Sequence, residues 1–299
     1  MIVCIVGPTG IGKTALSLDL AAHYNTDIIS GDSVQVYKGM DIGSAKVSLE
    51  EQAMVKHHLI DIYDIKDQFS VALFQKNVRQ KITEFEDKGK LPLIVGGTGL
   101  YIKSVLYDYN FEDAERDNDL EAQYEGVSNQ RLHDVLKEKD APQAQKIHPN
   151  NRKRVLQAIS RSESNKMSDN TNKDVPVYDY VMIGLTMDRK RLHKRIEKRV
   201  DKMFENGLIE EVKSLMKLDT DSHALDAIGY KEIMAYLNQK CTLEEAKEQI
   251  IIHTRQLAKK QYTFFRNQLD VTWIDKDIYQ TDESVFEKTV SIIDQALKK

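Results

Sequence analysis

The residues best equipped for chemistry stand near the start of the chain. Gly7-Pro8-Thr9-Gly10-Ile11-Gly12-Lys13-Thr14 fits the spacing G-x-x-x-x-G-K-[ST], directly behind the apolar run Ile2–Val6. A glycine-rich turn feeding a helix aims successive backbone N–H groups at one point, and the helix dipole adds to them. Lys13 brings a mobile cation to the outer phosphate oxygens, and Thr14 is placed to hold Mg2+. The motif therefore predicts a site for a di- or triphosphate.

Two more clusters follow apolar runs. Gly31-Asp32-Ser33-Val34-Gln35-Val36-Tyr37 comes after residues 27–30, and Gly96-Gly97-Thr98-Gly99-Leu100-Tyr101 after residues 91–95. Asp32 suits a general base, a hydrogen-bond acceptor for substrate or an indirect Mg2+ partner, and it equally suits a cap on the turn that follows. Gly96, Gly97 and Gly99 would let backbone approach a ligand, with Thr98 offering a hydroxyl. The run 91–95 ends in glycine, where NTPases place an acidic residue for Mg2+, so motor-type ATP hydrolysis is disfavoured. What remains is a transferase, either kinase-like or one for which diphosphate is the leaving group.

Charge points to the acceptor. The net charge of -4 hides local asymmetry: five basic residues and no acid from Lys146 to Arg161, eight against three from Asp188 to Lys202, and four against none from His253 to Arg266. Residues 112–125 are acidic. Three basic segments beside a phosphate loop favour an extended polyanion over a solvated face. Residues 190–203 predict a helix with Leu192, Ile196, Val200 and Met203 toward a core and Arg191, Arg195, Arg199 and Lys202 as a stripe that would clamp a diphosphate. Arg255, Lys259, Tyr262 and Arg266 recur at helical spacing, a pattern suited to RNA backbone and base stacking.

These groups need a scaffold at the ends of strands. The runs 2–6, 27–30, 91–95, 180–185 and 271–274, separated mostly by helix-like stretches, predict an α/β fold: a parallel sheet flanked by helices, of the kind P-loop NTPases have. Ligands of such sheets sit at the carboxyl ends of the strands. The stretch between residues 95 and 180 is too long for one crossover, which predicts a mostly helical inserted domain at 112–177 within a discontinuous core of 1–111 and 178–299. Its polar run 162–174 reads as a mobile loop. At 299 residues, 41% hydrophobic and 30% charged, the chain has an ordinary soluble composition. Two distant cysteines, no basic-flanked signal segment and no membrane-length run predict a reducing, cytoplasmic location with no membrane partner. His57-His58 has no third ligand placed beside it and is given no role.

Taken together, Gly7–Thr14, Asp32–Gly43 (Asp-Ser-x-Gln-Val-Tyr-Lys-Gly-Met-Asp-Ile-Gly), Gly96–Tyr101, Ile147–Asn150, Ile228–Glu232 and Thr254–Gln261 resemble the bacterial tRNA dimethylallyltransferases, in order and over nearly the whole chain. The resemblance implies transfer of the dimethylallyl group of dimethylallyl diphosphate to the exocyclic amine of adenosine 37, in tRNAs reading codons that begin with U. It implies that the loop Gly7–Thr14 holds the prenyl diphosphate rather than ATP. Lys13, Arg199, and Thr14 with Mg2+ would stabilise the departing diphosphate, while Asp32 and Thr98 meet the adenine amine. The anticodon stem-loop would be read by Asp32, Ser33, Val34, Gln35 and Thr98, by Lys153, Arg154 and Gln157, by Gly229, Tyr230 and Lys231, and by Arg255 and Lys259; a monomer is expected. Gln157-Ala158-Ile159-Ser160 stands where many relatives have Arg-Ala-Leu-Glu, and Glu121 where an arginine is common. Two distant cysteines exclude the zinc finger of some eukaryotic relatives. Three other readings stay open on residues alone: a small-molecule kinase, a prenyltransferase of free adenine nucleotides, and an RNA-binding protein with a nucleotide switch.

Overall fold

The computed structural model describes residues 1–109, 111, 122–163, 174–218 and 222–298. Two compact units result: residues Met1–Leu106 with Val177–Lys299, and residues Tyr107–Pro176.

The first unit is built on a six-stranded, all-parallel sheet. In chain order its elements are β1 (Ile2–Val6), α1 (Lys13–His23), β2 (Ile28–Gly31), α2 (Leu49–Met54), β3 (His57–His58), α3 (Val71–Asp87), β4 (Leu93–Gly96) and α4 (Gly99–Leu106). The spatial strand order is β3-β2-β4-β1, continued by β5 (Tyr180–Thr186) and β6 (Thr272–Asp275). β1 is central, and all five of its residues are buried, as an apolar run covered on both faces requires. Alternation divides the core. Val3, Ile5, Ile28 and Leu93 pack with Leu16, Leu20 and Ile293, while Cys4, Ile29 and Ile94 are buried on the other side of the pleat. Five strands were legible in the sequence; the sixth, β3, is the pair His57-His58, whose backbone continues the sheet beyond β2. Two polar-looking residues carry no strand periodicity, which is why the pattern misses them.

In the second unit, Ser128 caps α5 (Asn129–Lys139) and Asp140 caps α6 (Ala141–Lys146), followed by α7 (Arg152–Glu163). Leu132, Leu136, Val155, Leu156 and Ile159 form a core of its own. Arg152 donates to the carbonyls of Tyr124 and Val127, so one cation of that basic segment is used to tie the unit together. Most of the acidic run 112–125, with Glu121, and most of the polar run 162–174 lie outside the described residues.

The chain returns to the sheet with β5, then α8 (Arg189–Glu205), α9 (Leu208–Met216), a short 3-10 turn (His223–Asp226), α10 (Tyr230–Leu237), the long α11 (Leu243–Gln268), β6 and α12 (Asp282–Leu297). α8 begins where Asp188 accepts the N–H groups of Lys190 and Arg191. Its Ile196, Val200 and Met203 are buried, as the spacing predicts. Among the described residues no helix is long and apolar enough to cross a membrane.

Candidate active site

The loop after β1 has the backbone that its glycines allow. Gly7, Gly10 and Gly12 take φ values of 143°, 81° and 103°, a region open to glycine and strained for other residues. Gly12 stands at the N-cap of α1 and offers no side-chain cap, so the first-turn N–H groups are left to an anion. Lys13 Nζ folds back to donate to the carbonyls of Gly7 and Pro8, each at 3.0 Å. Ile11 anchors the loop through a fully buried side chain, so what it offers a phosphate is backbone only. Thr9 N–H donates to Gln261 Oε1 at 2.8 Å, and Gly10 O accepts from Arg195 Nε at 2.7 Å, so α11 and α8 both brace the loop.

A cavity of about 1060 Å³ opens on this loop at the carboxyl ends of the strands. It gathers Lys13, Thr14, Asp32, Thr98 and Arg199, which are distant in sequence. Asp32 is half-buried; its Oδ1 accepts the N–H groups of Val34 (2.8 Å) and Gln35 (3.3 Å), and no hydrogen bond to Oδ2 is formed among the described residues. The carboxylate is thus both a turn cap and a cavity wall, so the two readings of Asp32 are compatible. Thr98 Oγ1 lies 3.5 Å from Ser33 Oγ, a weak contact. Ser33, Val34 and Gln35 line the cavity, but Gln35 spends its amide internally, donating to Ala45 O and accepting from Ser30.

Electrostatics favour a bound anion. Burial, followed by the repulsion of Arg199, pulls the Lys13 ammonium down to about 7, and Asp32 opposes both. Burial also lowers Arg199, again against the pull of Asp32. Two cations held close together in a low-dielectric site are relieved when a polyanion enters.

Several expectations change in the folded chain. The stripe on α8 divides: Arg195, Arg199 and Lys202 line the cavity, whereas Arg191 forms an ion pair with Asp277 and is taken out of any diphosphate clamp. The glycines after β4 line the cavity, and they also make room for α11. A Cβ on Gly97 would stand 2.4 Å from Gln261 Nε2, and one on Gly99 would stand 2.3 Å from the Phe264 ring. Tyr230 has no exposed surface, so its side chain cannot touch RNA. Gly229 is buried beside it and Lys231 is exposed, while Asp226, Ala227 and Ile228 face the cavity. On α11, Arg255 is paired with Glu197 of α8, and Tyr262 packs against Trp273 with ring centroids 4.9 Å apart, a site closed to base stacking on that face. Lys259 is exposed and lines a surface groove with Gln256, Thr263 and Asn267. Lys153, Arg154 and Gln157 are exposed on α7, in the second unit.

Two residues at the loop carry no functional expectation from the sequence: Gln261, at the end of the run Thr254–Gln261, and Lys276. Lys276 follows β6 and lies so close to the phosphate loop that a Cβ on Gly12 would be 3.2 Å from its Nζ. Its position at a strand's carboxyl end was the available signal.

A sequence model of the IPP transferase family matches residues 35–268. The chain is 48% identical over 283 residues to the tRNA dimethylallyltransferase of Bacillus pumilus, covering 92% of this chain and 89% of that one. It is 46% identical to the tRNA dimethylallyltransferase of Anoxybacillus flavithermus, at 98% and 94% coverage. Among solved structures, the tRNA delta(2)-isopentenylpyrophosphate transferase of Staphylococcus epidermidis superposes with a TM-score of 0.75 at 40% identity, covering 98% of each chain. A eukaryotic dimethylallyltransferase acting on tRNA gives 0.86 at 27% identity, covering 99% of this chain and 79% of that one.

Proposed function

The chain belongs to the IPP transferase family, and from that premise we propose that it transfers the dimethylallyl group of dimethylallyl diphosphate to the exocyclic amine of adenosine 37, in tRNAs reading codons that begin with U. The observation that carries this reading is the convergence of Lys13, Arg199, Asp32 and Thr98 on one cavity behind a phosphate loop. A kinase would use the loop, the cations and a carboxylate base as well; membership of the IPP transferase family is what favours the prenyl donor.

The diphosphate lies in the loop Gly7–Thr14, where backbone N–H groups, Lys13 and Arg199 neutralise charge that grows as the carbon–oxygen bond breaks. The adenine amine is a weak nucleophile, because its lone pair is delocalised into the ring. Oδ2 of Asp32 accepts its proton, or a hydrogen bond from it, as the carbon–nitrogen bond forms, and the Thr98 hydroxyl supplies a second contact. The turn amides on Oδ1 fix the carboxylate's direction. A stacked adenosine cannot reach Asp32, so the acceptor enters as an extruded base.

Mg2+ fits the donor present: Thr14, which carries a hard hydroxyl oxygen, lines the cavity beside the loop. Held at Thr14, it would supply charge neutralisation at the leaving group. In the first unit Ser33 and Val34 at the cavity and the exposed Lys231 and Lys259 are the candidate contacts to the anticodon stem-loop, and in the second unit the exposed Lys153, Arg154 and Gln157 are further candidates. The acceptor RNA carries with it a cytoplasmic location, and the proposal takes the protein as a monomer.

The test is incubation with Mg2+, labelled dimethylallyl diphosphate and unmodified tRNA, beside a tube containing ATP instead of the prenyl donor. Label at adenosine 37 with diphosphate released supports the reading. ATP consumed only with a small acceptor, and no label on RNA, overturns it in favour of a kinase.

A further inference from the structure

Residues 41–45 belong to no helix or strand, yet Gly43, Ser44 and Ala45 form part of the cavity wall. The carbonyl of Ser44 accepts from Arg199 Nη2 at 3.5 Å, the long limit of a hydrogen bond. One carboxylate holds this segment. Glu211, on α9, accepts the N–H groups of Asp41 and Ile42 on Oε2, at 3.0 and 2.7 Å, and that of Gly43 on Oε1 at 3.0 Å. The buried Tyr230 hydroxyl donates to Oε1 at 2.8 Å and accepts the N–H of Ser44 at 3.1 Å.

Four consecutive backbone N–H groups are thereby collected by two side chains. Successive amides turned to one anion form a nest, here filled by the protein's own carboxylate. The packing leaves no slack, since a Cβ on Gly43 would lie 2.6 Å from the Tyr230 ring. The segment could satisfy its amides with water and move; held, it presents one carbonyl at a fixed place. An arginine side chain has much rotamer freedom to lose on binding, and a fixed acceptor removes part of that loss in advance.

We propose that Glu211 and Tyr230 are positioning residues: they fix residues 41–44 so that the Ser44 carbonyl holds the Arg199 guanidinium in place for a diphosphate. The inference rests on the reading of the cavity as a diphosphate site. Neither residue touches the ligand; both act through Arg199.

The probe is inorganic diphosphate with Mg2+, titrated calorimetrically into the full chain and its variants Arg199→Ala, Glu211→Gln, Tyr230→Phe and Arg199→Ala/Glu211→Gln. Glu211→Gln replaces an accepting oxygen by a donor against backbone N–H groups, and should weaken binding by about three- to tenfold. Tyr230→Phe keeps the ring against Gly43 and should give a smaller loss in the same direction. In the Arg199→Ala background the effect of Glu211→Gln should shrink below about 1.5-fold, because the two act as one unit. A merely structural role would lower melting temperature without this coupling. Unchanged diphosphate affinity in Glu211→Gln, or a loss that persists in full without Arg199, overturns the inference while leaving the diphosphate reading intact. Unchanged affinity in Arg199→Ala overturns the diphosphate reading and the inference with it. Should Glu211→Gln fail to fold, Tyr230→Phe decides: wild-type affinity there overturns the inference.

Discussion

Asp32 has two tasks, and substitution can separate them. Asp32→Ala removes both the cavity carboxylate and the acceptor of the Val34 and Gln35 amides, so its loss of turnover would be ambiguous. Asp32→Asn keeps an oxygen for those amides and deletes the charge. Its kcat should fall by about 10²- to 10⁴-fold, the usual worth of a general base, with tRNA affinity within a few-fold of wild type in filter binding. Near-normal turnover would remove Asp32 as base. Lys13 gives a second prediction. Because burial and Arg199 bring it to about 7, much of the ammonium is neutral at pH 8 in the free protein, and an entering anion raises it again. Diphosphate binding at pH 8 should therefore take up more protons in the wild type than in Lys13→Arg, whose guanidinium is always charged. Calorimetry in buffers of different ionisation enthalpy measures this, and equal uptake in both would refute it.

Elements set how closely these groups can meet. The run Gly96-Gly97-Thr98-Gly99 was readable as a place of close approach, but not what approaches. The answer is α11, whose Gln261 and Phe264 occupy the space that Cβ atoms would need, and whose Gln261 reaches on to the phosphate loop. Gly99→Ala should push Phe264 away and destabilise the fold by about 1–3 kcal/mol, as overpacking does, measured by urea unfolding. It should also weaken diphosphate binding, since Thr9 loses part of its brace. A variant of wild-type stability would mean that α11 shifts freely. The charge stripe on α8 teaches a related lesson. Helical periodicity placed Arg191, Arg195 and Arg199 on one side, yet only contact with the loop after β6 decides that Arg191 belongs to Asp277.

At the scale of the molecule, each of the two units has hydrophobic packing of its own. Leu136 is buried in the core of the second unit, whereas the residues lining the 1060 Å³ cavity belong to the first. Leu136→Ala should cost about 2–5 kcal/mol in the stability of residues 107–176 and leave inorganic diphosphate affinity unchanged. Hydrogen exchange resolved by segment would locate the loss, and a fall in diphosphate affinity would show the cores to be coupled. Binding of tRNA should weaken steeply with salt, whereas binding of the diphosphate inside a buried loop should respond less. Equal salt slopes for the two ligands would count against the exposed cations of α7 and α11 as the RNA contacts.

By itself the sequence determined the phosphate loop, the buried central strand, the core face of α8 and the family, because each is a local pattern: a fixed spacing of glycines, a run of apolar residues, a 3.6-residue repeat, motifs in order. It could not determine which cations reach the cavity, that Tyr230 is buried, that β3 is a strand, or that Glu211 gathers the amides of residues 41–43. Those depend on pairs far apart in the chain, such as Thr9 with Gln261 or Gly43 with Tyr230. Whether a side chain faces a ligand or a neighbour is settled by what tertiary packing brings against it, and no local pattern carries that information.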